Sequence, residues 1–146
     1  MKTLYIIDAY NLIYRMFYAI PEMNTREGKP VNAIFGVAKF LKSLSDQDPS
    51  ASLVVASDVG KSFREDLFAE YKWQRESMPD NLRSQIEWVF ELFSAAHIPI
   101  LFRDGYEADD VIGSIAHQHD REYQVVIISS DKDLCQFVRD GRVHIF

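Results

Sequence analysis

Short apolar runs, several closed by an acid and all separated by stretches of helical period, constrain this chain more than any other feature. Leu4-Tyr5-Ile6-Ile7 ends at Asp8, Leu53-Val54-Val55-Ala56 at Ser57-Asp58, and Val125-Val126-Ile127-Ile128 at Ser129-Ser130-Asp131. Ile98-Pro99-Ile100-Leu101 and Val143 to Phe146 are two further candidates. Runs this short, apolar on both faces, suit strands buried in a parallel sheet. Between them Ile34, Val37, Ala38, Leu41 and Leu44 keep a helical period. Leu82, Ile86, Val89, Phe90 and Phe93 do the same behind the start signal Pro79-Asp80, as do Ala108, Val111, Ile112 and Ile115. Strands alternating with helices predict right-handed crossovers and a three-layer α/β fold, a mainly parallel central sheet with flanking helices.

A length of 146 residues suits one domain with a real hydrophobic core. No apolar run is long enough to span a bilayer. The stretch after Met1-Lys2-Thr3 is too short for a signal-peptide core and no small-residue cleavage site follows it. The single cysteine, Cys135, has no internal disulfide partner, is expected as a buried small hydrophobe, and fits a reducing cytoplasm. The net charge of −6 argues against a nucleic-acid binder unless the acids converge, because bound cations then reverse the local sign.

The acids do fall in a pattern. In sheets of this kind ligands bind at the carboxyl ends of the strands. Asp8 and Asp131 stand just past a strand end, and Asp58 nearly so. Glu107-Ala108-Asp109-Asp110 opens a helix after the third run, and Asp131-Lys132-Asp133 follows the fourth. Glu107 and Asp110 are three apart and face the same way on a helix. Taken singly, Asp8 and Asp131 read equally well as helix caps, and Glu107 and Asp109 as complements to a helix dipole. Together at one sheet edge they repel, and divalent cations are the usual remedy. Oxygen ligands without histidine or cysteine suit Mg²⁺ or Mn²⁺. His97, His117, His119 and His144 are expected to be structural.

At these residues the sequence resembles the 5′-nuclease family, the flap endonucleases of phage and the N-terminal exonuclease domain of bacterial DNA polymerase I. The resemblance covers nearly the whole chain. It rests on residues 7–15 (IDAYNLIYR), 32–37 (NAIFGV), 60–64 (GKSFR), 71–75 (YKWQR), 78–80 (MPD), 105–113 (GYEADDVIG) and 129–134 (SSDKDL). It implies a two-metal phosphodiesterase on a PIN-like 5′-nuclease core, acting on DNA with 5′ flaps or 5′ ends in replication and repair. It carries Mg²⁺ or Mn²⁺ ligands onto Asp8, Glu107, Asp109, Asp110, Asp131 and Asp133. Two cations roughly 4 Å apart activate a water and stabilise the leaving oxygen in such sites. The chain departs from polymerase-type members in having Ser57 where they carry Asp. A local bulge or early strand end is expected to let Asp58 serve instead.

The resemblance also makes the segment at about residues 60–80 a helical arch. On a helical wheel Lys61, Arg64, Lys72 and Arg75 fall within about 80° of one another, and intrahelical ion pairs on a solvated face would explain that equally well. By the resemblance, Lys72 and Arg75 reach the scissile phosphate, and Lys61, Arg64 and Arg15 are further DNA-contact candidates. Phe68, Tyr71 and Trp73 are candidates for stacking on bases, with packing the commoner role. The chain is expected to stop before a second aspartate pair and a helix–turn–helix-like element that grip duplex DNA. It is thus read as residues 1–146 of a monomeric core, weakly active or inactive alone, and expected as the nuclease part of a DNA polymerase I-like protein with a linked polymerase domain. One metal position is expected near Asp8, Glu107 and Asp109, with Asp131 and Asp133 holding the other weakly. A non-catalytic DNA-junction module, a topoisomerase/primase-type Mg²⁺ domain and a PIN-type ribonuclease are the alternatives.

Overall fold

The computed structural model describes residues 1–58 and 78–146. In chain order its elements are β1 (Lys2–Asp8), α1 (Ala9–Ala19), α2 (Asn32–Gln47), β2 (Ser52–Ala56) and α3 (Asp80–Ala95). There follow β3 (Ile100–Leu101), α4 (Ala108–His119), β4 (Tyr123–Ile128), a 3₁₀ helix (Lys132–Phe137) and β5 (Val143–Ile145). The strands form one sheet in the order β3-β2-β1-β4-β5, with every neighbouring pair parallel. The chain therefore adopts the α/β fold that its alternating runs predict. Its order runs outward from β1 to β2 and β3 on one side and to β4 and β5 on the other. The carboxyl ends of β1 and β4 thus flank the switch point, where a crevice opens in such sheets.

Strand side chains alternate between the two faces. Tyr5 and Ile7 of β1, Leu53 and Val55 of β2, and Val126 and Ile128 of β4 pack with α1, α2 and α3. Leu4 and Ile6, Val54 and Ala56, and Val125 and Ile127 pack with α4 and the 3₁₀ helix through Ile112, Ile115, Ala116 and Leu134. Most of these side chains are fully buried, and each large one contributes roughly 1.5–3 kcal/mol.

A buried polar knot ties the helices of the first face together. The Gln85 side chain, fully buried on α3, accepts hydrogen bonds from the Ala33 and Ile34 N–H groups at the start of α2 (2.7 and 3.2 Å). It donates to Asn32 Oδ1 at 2.8 Å and to the Asn81 carbonyl at 2.8 Å. Asn32 in turn donates to the Phe17 and Ile20 carbonyls at the end of α1. Gly36 brings α1 and α2 close, since a Cβ there would lie 2.8 Å from Met16 Cβ. Asn32, Ala33 and Gly36 of the NAIFG segment thus have a packing explanation, while Phe35 is exposed.

Two expectations need correction. The third run was expected as a strand over residues 98–101, but only Ile100–Leu101 pairs with β2. His97 ends α3 in the left-handed region (φ 58°), and the Ile98 N–H still bonds to the Phe93 carbonyl. Ile98 therefore belongs to the helix exit, and Pro99 contributes only its carbonyl, to the Val55 N–H. Cys135 is exposed rather than buried. The 3₁₀ helix turns Leu134 into the core and leaves its neighbour facing water. Among the described residues no helix is long and apolar enough to cross a membrane.

Candidate metal centre

The first acid is delivered by β1. Asp8 follows the parity of Leu4 and Ile6, so it points to the α4 side of the sheet and is only 8% exposed. Ser129, just past β4 and on the parity of Val125 and Ile127, meets it there. The Ser129 hydroxyl donates to Asp8 Oδ2 at 2.9 Å and its oxygen accepts from the Asp131 N–H at 3.1 Å. Beside it Asn11 of α1 brackets Ser130, accepting from its N–H at 3.0 Å and donating to its hydroxyl at 2.9 Å. The ends of β1 and β4 are thereby clamped where the strand order reverses.

Parity also settles where Ser57 and Asp58 lie. The Ser57 N–H still bonds to the Leu101 carbonyl, so the extended backbone outlasts β2 by one residue. Ser57 follows Leu53 and Val55 toward α1–α3 and is fully buried. Asp58 follows Val54 and Ala56 toward α4, where its Oδ1 accepts the Ala108 N–H at 2.5 Å. The strand ends at Ala56 and the chain bends at Asp58, which fits an early strand end rather than a bulge, and the Asp58 charge acts on Asp8.

The acidic helix is aimed by a turn. Tyr106 N–H bonds to the Arg103 carbonyl at 3.1 Å, with Gly105 between them at φ +80°. That positive φ suits the third residue of a type II turn, which glycine adopts without strain. The chain then enters α4 with Glu107 at its N-cap. Asp110 accepts the Glu107 N–H at 3.2 Å, so it closes the helix start and stays exposed. Asp109 points instead toward the 3₁₀ helix. Its carboxylate lies in a group with those of Asp131 and Asp133, one oxygen from each all within 4.8 Å of one another. Asp131 is at the same time a cap, accepting the Asp133 N–H at 2.9 Å.

Electrostatics joins these acids into one site. Burial pushes the Asp8 carboxyl up from 3.8 to about 6; the Ser129 hydrogen bond opposes this, and the charges of Asp58 and Asp109 reinforce it. Asp109 is also raised, first by burial and then by Asp131, Glu107, Asp58 and Asp133. Like charges crowded this way ask for a cation, and a donor set made only of carboxylate oxygens fits Mg²⁺ or Mn²⁺.

The candidates read from sequence divide accordingly. Asp8, Asp58, Asp109, Asp131 and Asp133 converge. Glu107 acts on Asp109 through its charge but is exposed, and Asp110 is turned to the helix cap. Among the described residues, the carboxylates that come within 4.8 Å of one another are those of Asp109, Asp131 and Asp133. Arg15 is exposed on α1. Lys61, Arg64, Phe68, Lys72, Tyr71, Trp73 and Arg75, and with them the expected arch, lie outside the described residues. Sequence reasoning assigned no part to Ser129, Ser130 or Asn11. Their signal was a pair of small hydroxyls between a strand end and an acid. The four histidines keep structural settings: His97 in the α3 exit, His119 edge-to-face on Tyr123, His144 beside Gln124 and His117 beside Arg139.

Comparison with known proteins identifies the family of the chain. The family model described as "5'-3' exonuclease, N-terminal resolvase-like domain" matches residues 3–146. A 5'-3' exonuclease of Aquifex aeolicus is 44% identical over 143 residues, covering 97% of this chain and 50% of that protein. A DNA polymerase I of Pseudomonas aeruginosa is 43% identical over 142 residues, covering 96% of this chain and 15% of the polymerase. The flap endonuclease of bacteriophage T5, solved as a pseudo-enzyme-product complex with DNA and metal ions, superposes with a TM-score of 0.67 at 26% identity. That match covers 99% of this chain and 54% of the phage protein. The chain thus spans half or less of the length of these curated relatives.

Proposed function

The chain belongs to the 5'-3' exonuclease family, matching its N-terminal resolvase-like domain, and from that premise we propose that it is the catalytic core of a divalent-metal-dependent 5′-nuclease. Its substrate is DNA with a 5′ end or 5′ flap, and its reaction is hydrolysis of a phosphodiester bond. The observation that carries this reading is the convergence of Asp109, Asp131 and Asp133 beside the buried Asp8 at the switch point of the sheet. Both a 5'-3' exonuclease and a DNA polymerase I match this chain, which supports a nuclease core.

Asp109, Asp131 and Asp133 are the proposed holders of one Mg²⁺ or Mn²⁺, and Asp8, Asp58 and Glu107 the proposed holders of a second. When bound, such cations polarise the phosphoryl oxygens, activate water and neutralise the leaving oxygen. The protein's own part is to fix the donors. Ser129 holds Asp8 by a hydrogen bond that favours its charged form. Asp58, by accepting the Ala108 N–H, pins the start of α4 so that Asp109 faces the 3₁₀ helix. Asn11 fixes the Ser129–Ser130 turn and hence the backbone that carries Asp131. Lys72 and Arg75 are proposed to stabilise charge on the phosphate, with Lys61, Arg64 and Arg15 contacting the DNA backbone.

The test is release of product from a 5′-labelled flap DNA by the full-length protein carrying this chain, with Mn²⁺ and with chelator. Mn²⁺-dependent cleavage that Asp131→Asn abolishes is the expected result. Cleavage that persists in chelator, or that Asp131→Asn leaves intact, would remove the proposal.

A further inference from the structure

The distance between Asp109 and its partners depends on how closely α4 and the 3₁₀ helix approach, and Gly113 faces Phe137 between them. Gly113 lies buried on α4, four residues beyond Asp109 and so on the same helix face. Phe137, half-buried, closes the 3₁₀ helix that begins just after Asp131. A Cβ built on Gly113 would overlap the tip of the Phe137 ring, lying 2.5 Å from its Cε1 and 3.1 Å from its Cε2. The ring therefore occupies the space that any other residue at 113 would fill.

We propose that Gly113 is a positioning residue for the metal centre: by accepting the Phe137 ring against the α4 backbone, it sets the spacing of Asp109 from Asp131 and Asp133. Phe137 packs in the same cluster as Leu134, Ile112 and Ile115. Swinging the ring away would uncover that cluster, so the 3₁₀ helix as a whole is what gives when the space is taken. Leu134 anchors its first turn beside Asp133, and Phe137 anchors its last. A shift of this short element therefore moves both aspartates relative to α4. The inference rests on the metal reading above and goes beyond it in naming a residue with no donor atom.

The experiment measures Mn²⁺ binding by calorimetry for the wild-type chain, Gly113→Ala, Phe137→Leu and the double variant, with unfolding followed in chelator. Helix propensity alone favours alanine over glycine, so a loss caused by Gly113→Ala reports the collision. The expected result is a folded Gly113→Ala chain that binds Mn²⁺ about tenfold or more weakly. Adding Phe137→Leu, which removes the ring tip, should return affinity to that of Phe137→Leu alone. Wild-type affinity in Gly113→Ala, or no recovery in the double variant, overturns the proposal. Should Gly113→Ala fail to fold, Phe137→Ala supplies the reading. Weakened Mn²⁺ binding in a folded chain supports the proposal and unchanged binding overturns it. If the wild-type chain itself binds no Mn²⁺, the metal reading falls and this inference with it.

Discussion

Replacing Asp8 by asparagine should make the metal-free protein more stable at neutral pH, although it removes a proposed metal ligand. Asp8 is 8% exposed, and its carboxyl is raised from 3.8 to about 6, chiefly by burial. Between those two values the folded chain binds a proton that the unfolded chain has released. Stability therefore falls as pH rises through that window, and the full penalty applies above about pH 6. The gap is worth roughly 3 kcal/mol, little screened because the group is buried. Asparagine never ionises, and its carbonyl can still accept the Ser129 hydroxyl. In chelator at about pH 8 the variant should thus gain up to roughly 3 kcal/mol, or about 5–10 °C in Tm. Near pH 4 the gain should vanish, since wild-type Asp8 is then largely neutral. Thermal unfolding at both pH values, with and without Mn²⁺, measures this. Added Mn²⁺ should raise the wild-type Tm more than the variant's. A variant that melts at or below wild type at pH 8 in chelator would refute the reasoning. So would a gain of equal size at both pH values.

Gln85→Leu should destabilise the chain by about 2–4 kcal/mol in urea unfolding, because it strands the Ala33 N–H and the Asn32 side chain in a dry core. A loss below about 0.5 kcal/mol would show that the knot around Gln85 is dispensable. Lys72→Ala and Arg75→Ala should lower kcat of the complete enzyme far more than they lower its Tm; normal specific activity in an unstable variant would make them structural instead.

Much of this architecture was readable because parallel strands buried on both faces leave continuous apolar runs, and the first, second and fourth runs each became a strand. The placement of acids at their ends was legible for the same reason: a strand that stops being apolar has reached the sheet edge. Other features depended on which layer each face meets. Asp58 was expected to stand in for the aspartate that relatives carry at position 57, and its carboxylate does meet the start of α4 while Ser57 is fully buried. The approach of Asp131 and Asp133 to Asp109 was not legible, because a six-residue 3₁₀ helix has no hydrophobic period to announce it. That element folds Asp131 and Asp133 back toward α4 and also exposes Cys135. The strand order and the Ser129 and Asn11 contacts join residues more than a hundred apart in sequence, where local pattern carries no information.

The most direct measurement is an anomalous difference map from crystals of the chain grown with Mn²⁺. The account predicts a peak bounded by the carboxylates of Asp109, Asp131 and Asp133, which disappears in Asp131→Asn crystals soaked identically. A map with no peak there, or with its strongest peak away from the carboxyl ends of β1 and β4, would contradict it.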